Sequence, residues 1–212
     1  MSLDECAAWL VGGVVADGPA VAITFDDGYA SVIQQALPIL AAEHVPATLF
    51  SIGGRRGSDN RWPSQWASVP TMPLADDRAL REWLAAGMAV GAHTWSHCAL
   101  PSLEHDEAER EIVEAGDRLA QALGTEVRHF AYPYGLRTAR DVRLAERRYL
   151  TAVTAEPGVV RRTSSQHDLP RLDAHDLHVG LRLGLVGTRR LVPYLAARRG
   201  FRRVRRRLEG TS

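Results

Sequence analysis

Val21-Ala22-Ile23-Thr24-Phe25-Asp26-Asp27-Gly28 decides how the rest of the chain is read. Five apolar or β-favouring residues stop at two aspartates and a glycine, which describes a short buried strand ending in a turn. Side chains alternate along a strand, so Asp26 and Asp27 can serve one site only where the strand ends and the chain turns. Gly28 permits that turn. In parallel α/β folds, active sites form at such C-terminal strand ends. Taken alone, Asp-Asp-Gly is equally well a polar turn with one aspartate capping the next helix.

The same alternation continues outward. Ser31 to His44 has helical spacing, with Pro46 just beyond. Ala47 to Ile52 is a second apolar strand, closed by Gly53-Gly54. Further helices are expected over Asp76 to Ala86, Leu103 to Leu123 and Thr138 to Arg148, with Gly87 and Gly124 ending the first two. Strands are expected over Met88 to Ala92, Val127 to Ala131 and Leu150 to Thr154. Val186 to Arg207 has helical character, interrupted by Pro193 and Gly200. Residues 53–75 are rich in Gly, Ser, Pro and Trp and read as a long loop of the kind that often carries function. Short strands alternating with amphipathic helices predict an α/β fold with a parallel sheet, open or closed.

Composition bounds the partners. The 212 residues are 45% hydrophobic and 24% charged, enough for a single domain over residues 1–212 with a full core. A net charge of +1 excludes a nucleic-acid polycation. Seven arginines crowd the ten residues from Arg198 to Arg207, so the remainder carries about −6 and residues 198–212 read as a basic tail. Cys6 and Cys98 read as free thiols of a reducing compartment. The first residues lack a signal-peptide pattern, and no apolar stretch reaches the roughly 18 residues of a spanning helix, so the expected location is cytoplasmic. The tail could still hold the protein at an anionic membrane surface, at about 1 kcal/mol per basic residue.

Three further clusters carry chemistry. His93-Thr94-Trp95-Ser96-His97 follows a predicted strand, and histidines four apart share a face if the segment is helical. Phe130-Ala131-Tyr132-Pro133-Tyr134-Gly135 is a turn at another strand end. Leu169-Pro170-Arg171-Leu172 holds a lone arginine. His93, His97 and one of the two aspartates would supply three ligands to a metal, and three protein ligands plus water is the catalytic zinc pattern. The remaining carboxylate would stand as general base. Singly each cluster is weak; a shared position at predicted strand ends links the two aspartates, the histidine pair and the Pro133-Tyr134 turn, while Arg171 alone reads as a surface residue.

In this order the segments resemble the polysaccharide deacetylase family, also called the NodB-homology or carbohydrate esterase family 4 group. The resemblance covers about residues 20–172 and extends to "ALPILAAEHVPATLF", "LREWLAAGMAVGAHTWSH" and "FAYPYG". It implies a distorted, incomplete (β/α) barrel of parallel strands with surrounding helices. It also implies removal of acetyl groups from an N-acetylated sugar, polymeric, oligomeric or lipid-linked, with a divalent metal, usually zinc. Carried over, Asp26 would be the general base, and Asp27, His93 and His97 the metal ligands. Pro133-Tyr134 would form the turn whose tyrosine N–H binds the oxyanion.

Two departures stand out. Where many members place an arginine before the Pro-Tyr pair, this chain has Ala131, and Arg128 would face the other way on a strand. The "FAYPYG" subgroup resembles members that take this arginine from a later Leu-Pro-Arg segment, here Arg171, which would pair with Asp26. No histidine fits the family's general-acid motif well; His178 is nearest by order, ahead of His167 and His175, and Asp26 could itself return the proton. The roughly 20 residues before Asp-Asp are short for the family, so a barrel piece could be missing or supplied by a partner. The competing readings are an amide or imide hydrolase acting on a small non-carbohydrate substrate, and a non-catalytic carbohydrate-binding module.

Overall fold

The computed structural model describes residues 1–63, 65, 68–177, 184–188, 190, 191, 193 and 194. Six strands form one sheet: β1 Ile23–Phe25, β2 Ala47–Ser51, β3 Ala89–Ala92, β4 His129–Ala131, β5 Thr151–Pro157 and β6 Leu169–Arg171. Every neighbouring pair is parallel, and the spatial order follows the sequence. Sequential order has a consequence. Right-handed crossovers then put successive helices on one face, and the sheet curls with its other face inward. The result is the expected half-barrel. β1 and β6 are its two edges, and Arg171 bridges them by donating to Thr24 Oγ1 (3.1 Å) and to Asp26.

The helices between strands are α2 Ala30–Ala42, α3 Asp77–Ala85, α4 His105–Glu109, α5 Ala115–Leu123 and α6 Ala139–Arg148. Outward-pointing Leu49, Val90, Phe130 and Ala152 pack beneath Ile33, Leu37, Leu80, Trp83, Leu119 and Leu144. Burying each large side chain contributes about 1.5–3 kcal/mol. The alternate residues, Phe50, Ala131, Val153 and Leu169, face inward and meet Leu3 of an N-terminal helix, α1 Leu3–Leu10.

That helix lies within the roughly 20 residues that precede Asp26. It is fixed by a capping box, in which Glu5 N–H donates to Ser2 Oγ and Ser2 N–H to the Glu5 carboxylate. Asp4 reaches Arg128 (2.8 Å), and the terminal ammonium donates to the Val21 carbonyl (3.0 Å). The chain thus covers the inner core at the N-terminal ends of its strands.

Two other features differ from expectation. β6 is a strand although its three residues include Pro170; its edge position tolerates the missing N–H. The helix expected from Leu103 starts at His105 and is interrupted by a π turn, Arg110–Glu114, before α5 ends at left-handed Gly124. The expected helix from Val186 and the tail from residue 198 lie largely or wholly outside the described residues. Among the described residues, no helix is long and apolar enough to cross a membrane.

Candidate active site

Strained backbone marks the C-terminal ends of β1, β3 and β4. Asp27 (φ 69°) and Gly28 (φ 76°) are both left-handed, which breaks strand alternation and lets Asp26 and Asp27 serve one mouth. Thr94 and His97 (both φ 63°) fold the segment after β3, and Tyr134 (φ 59°) turns the chain after β4. Among the described residues, only His44 is a further non-glycine case. Each such residue costs on the order of 1–3 kcal/mol, and clusters of them accompany functional sites. His93 and His97 therefore meet through a loop with two left-handed residues, not through the helical turn that their spacing suggested.

The ligand atoms of Asp27, His93 and His97 lie within 4.8 Å of one another. Asp27 Oδ1 is 3.4 Å from His93 Nε2 and 3.2 Å from His97 Nε2. His93 Nδ1 is 2.7 Å from the Ala131 carbonyl oxygen, an acceptor only, so Nδ1 carries the proton. In neutral His93 the Nε2 lone pair then faces a carboxylate oxygen. Two acceptors so placed need a cation or a proton between them, and two imidazoles with one carboxylate suit a divalent metal.

The electrostatics agree with that geometry. Burial would raise the Asp27 carboxyl, but the hydrogen bonds and charges of His93 and His97 hold it far below the usual range. Burial lowers His93, and Asp27 and Asp26 more than reverse that, for a net rise. His97 stays below the ordinary histidine value because burial and the His93 charge outweigh Asp27.

Asp26 is held separately. Arg171 Nη1 and Nη2 each donate to one of its carboxylate oxygens at 2.7 Å, while Arg171 Nε donates to the Thr154 carbonyl (2.8 Å). Burial would raise the Asp26 carboxyl; the Arg171 charge and hydrogen bonds outweigh it and keep the carboxyl low. The Arg171 guanidinium thus lies where the alternative source, Arg128, does not reach, for Arg128 pairs with Asp4 at the opposite end of the barrel.

The surrounding wall was largely unread in the sequence. Trp62 packs over His97 with ring centroids 4.1 Å apart, and Tyr134, which follows Pro133, brings its hydroxyl 3.0 Å from His97 Nδ1. Tyr29 and buried Asn60 stand beside them, with Asn60 Nδ2 donating to the Tyr29 hydroxyl (3.5 Å). The length and composition of residues 53–75 were the signal for Trp62 and Asn60, but not for these two residues in particular. His178 lies outside the described residues. His167 is turned away, its Nε2 bonded to the Tyr149 carbonyl (2.8 Å).

Comparisons with known proteins agree with this architecture. The profile described as polysaccharide deacetylase matches residues 14–153, and the chain belongs to that family. It is similar to a chitooligosaccharide deacetylase of Sinorhizobium fredii, 33% identical over 122 residues, covering 56% of this chain and 48% of the relative. The solved structure of IcaB from Ammonifex degensii matches with a TM-score of 0.72 and 26% identity, covering 86% of this chain and 80% of that one. The Streptococcus pyogenes deacetylase PplD, solved with acetate, matches in fold with a TM-score of 0.69 and 24% identity, over 81% and 72% of the two chains. The chain spans about half the length of the curated relatives it matches.

Proposed function

We propose that this protein is a metal-dependent hydrolase that removes acetyl groups from an N-acetylated sugar of a glycan or glycan precursor. The observation that carries the reading is the pairing of two carboxylates with different partners: Asp27 with two imidazoles, Asp26 with Arg171. Membership of the polysaccharide deacetylase family and the name of the Sinorhizobium relative support an acetamido sugar as the substrate class.

In this reading Asp27, His93 and His97 hold one divalent ion, with zinc as the expected metal. When bound, such an ion polarises the acetyl carbonyl and lowers the pKa of water. The residues do the rest. Asp26, ionised and aimed by Arg171, accepts a proton from the attacking water. The Tyr134 N–H contributes to binding the oxygen of the tetrahedral species. The C–N bond then breaks, acetate departs, and Asp26 returns its proton to the leaving amine.

The test is acetate release from a panel of N-acetylglucosamine oligomers, wild type against Asp26→Asn. The variant is expected to lose at least about 100-fold in kcat while keeping its metal. Equal rates would overturn the mechanism.

A further inference from the structure

The segment 94–97, which ends on the second ligand histidine, carries two left-handed residues, Thr94 and His97, and its backbone is held from both sides. On one side Gly53 N–H donates to the Thr94 carbonyl (2.9 Å) and Gly54 N–H to the Trp95 carbonyl (2.8 Å). A Cβ on Gly54 would lie 2.7 Å from the Trp95 ring, so a glycine is required for this approach. On the other side stands Glu111, in the π turn between α4 and α5. Its Oε2 accepts from the Trp95 N–H (2.8 Å) and the Ser96 N–H (2.9 Å), and its Oε1 accepts from Ser96 Oγ (2.8 Å). Within the loop, His97 N–H donates to Thr94 Oγ1 (2.9 Å).

The π turn bears on this arrangement. Ala115 N–H reaches back to the Arg110 carbonyl, and the buried Tyr149 hydroxyl donates to the Ile112 carbonyl inside the turn (2.6 Å). Such bulges interrupt helices mostly where a side chain must be aimed. Here the side chain in the widened turn is the one that takes three hydrogen bonds from the loop. Glu114, in the same turn, instead pairs with exposed Arg118 across one helical turn.

We propose that Glu111 is a positioning residue for the metal centre: its carboxylate clamps the Trp95–Ser96 backbone and so keeps His93 and His97 convergent on Asp27. This rests on the metal reading above. Groups that orient ligands from outside the coordination sphere commonly change metal affinity by about 10–100-fold. A residue that served only the fold would lower the melting temperature and leave the affinity of the folded protein unchanged.

The experiment uses Co2+ as the probe, titrated into chelator-treated protein and followed by its visible absorption, together with amide exchange of residues 94–97 in metal-free protein. Glu111→Ala is expected to weaken Co2+ binding by about 10–100-fold and to speed exchange of those amides at least about tenfold. Glu111→Gln, which keeps the length and an acceptor oxygen, should recover affinity to within about threefold of wild type, and Glu114→Ala should change neither readout. If Glu111→Ala does not fold, Glu111→Asp, one methylene too short, should show the same losses. Unchanged Co2+ affinity in the folded Ala or Asp variant overturns the role of Glu111. A wild-type protein that binds no Co2+ overturns the metal reading instead, and Glu111's role with it.

Discussion

The half-barrel sets an aspartate beside a buried histidine at both of its ends, and the two ends are built differently. At the N-terminal ends of the strands, Asp4 pairs with Arg128 at 2.8 Å and lies 3.5 Å from His129 Nε2, while His129 Nδ1 meets Thr151 Oγ1 at 2.8 Å. Asp4 and His129 sit on regular helix and strand, with Arg128 and Thr151 as their respective partners. At the C-terminal ends, Asp27 and His97 sit on left-handed backbone, and three donor atoms converge with acceptor facing acceptor. An Asp–His contact is therefore no signature by itself. Convergence on strained backbone, with Nδ1 tied to a carbonyl, separates a candidate metal site from an internal cap.

Substitutions that break this contrast should divide cleanly. The largest effect is expected from Asp27→Ala: loss of tight metal binding and a fall in acetate release of more than about 10³-fold, read by calorimetry and by acetate assay. Next, Arg171→Ala should lower kcat by about 100-fold with metal affinity retained, because Asp26 loses its bidentate partner and its aim. It should also lower the melting temperature, since Arg171 ties the two edge strands together. At the other end, Leu3→Ala should cost about 2–5 kcal/mol in denaturant unfolding through the cavity left against Phe50 and Leu169, with metal affinity unchanged.

The smallest effect sharpens the comparison through pH. Burial holds His129 below its ordinary value of 6.5, against the raising charge of Asp4 and with the lowering charge of Arg128. A depressed histidine means that the unfolded chain takes up the proton first as pH falls. Its contribution is thus fully present above about pH 6.5 and declines below it, by at most about 1.4 kcal/mol per pH unit. Comparing unfolding free energies at pH 7.5 and 5.5, His129→Gln should show the shallower slope and unchanged acetate kinetics at pH 7.5.

Much of this was legible in the sequence, for reasons that name its limits. The strands at 23–25, 47–51 and 89–92 stand out because each is a short apolar run ended by residues that must turn, and Asp26, Asp27, His93 and His97 follow the first and third of them. Arg171 was legible only through family resemblance: a three-residue edge strand containing proline has no periodicity to read. α1 did leave a signal, the Ser2 and Glu5 spacing of a capping box, but its eight residues span only about two helical turns, too few for a periodicity to stand out. Glu111 was hidden differently. On an amphipathic helix one glutamate looks like any other, and the π turn that aims it breaks the period used to read such helices. Left-handed Thr94 and His97 have no glycine to announce them, so a helical spacing stood in for a loop.

The most direct test of the account is metal reconstitution of chelator-treated protein, measured as acetate released from an N-acetylglucosamine oligomer against equivalents of Zn2+ added. Activity should be absent after chelation and rise linearly to a plateau at one equivalent per chain in wild type, with no recovery in Asp27→Ala. Acetate release that survives chelation, or that Asp27→Ala recovers with the same stoichiometry, would contradict it.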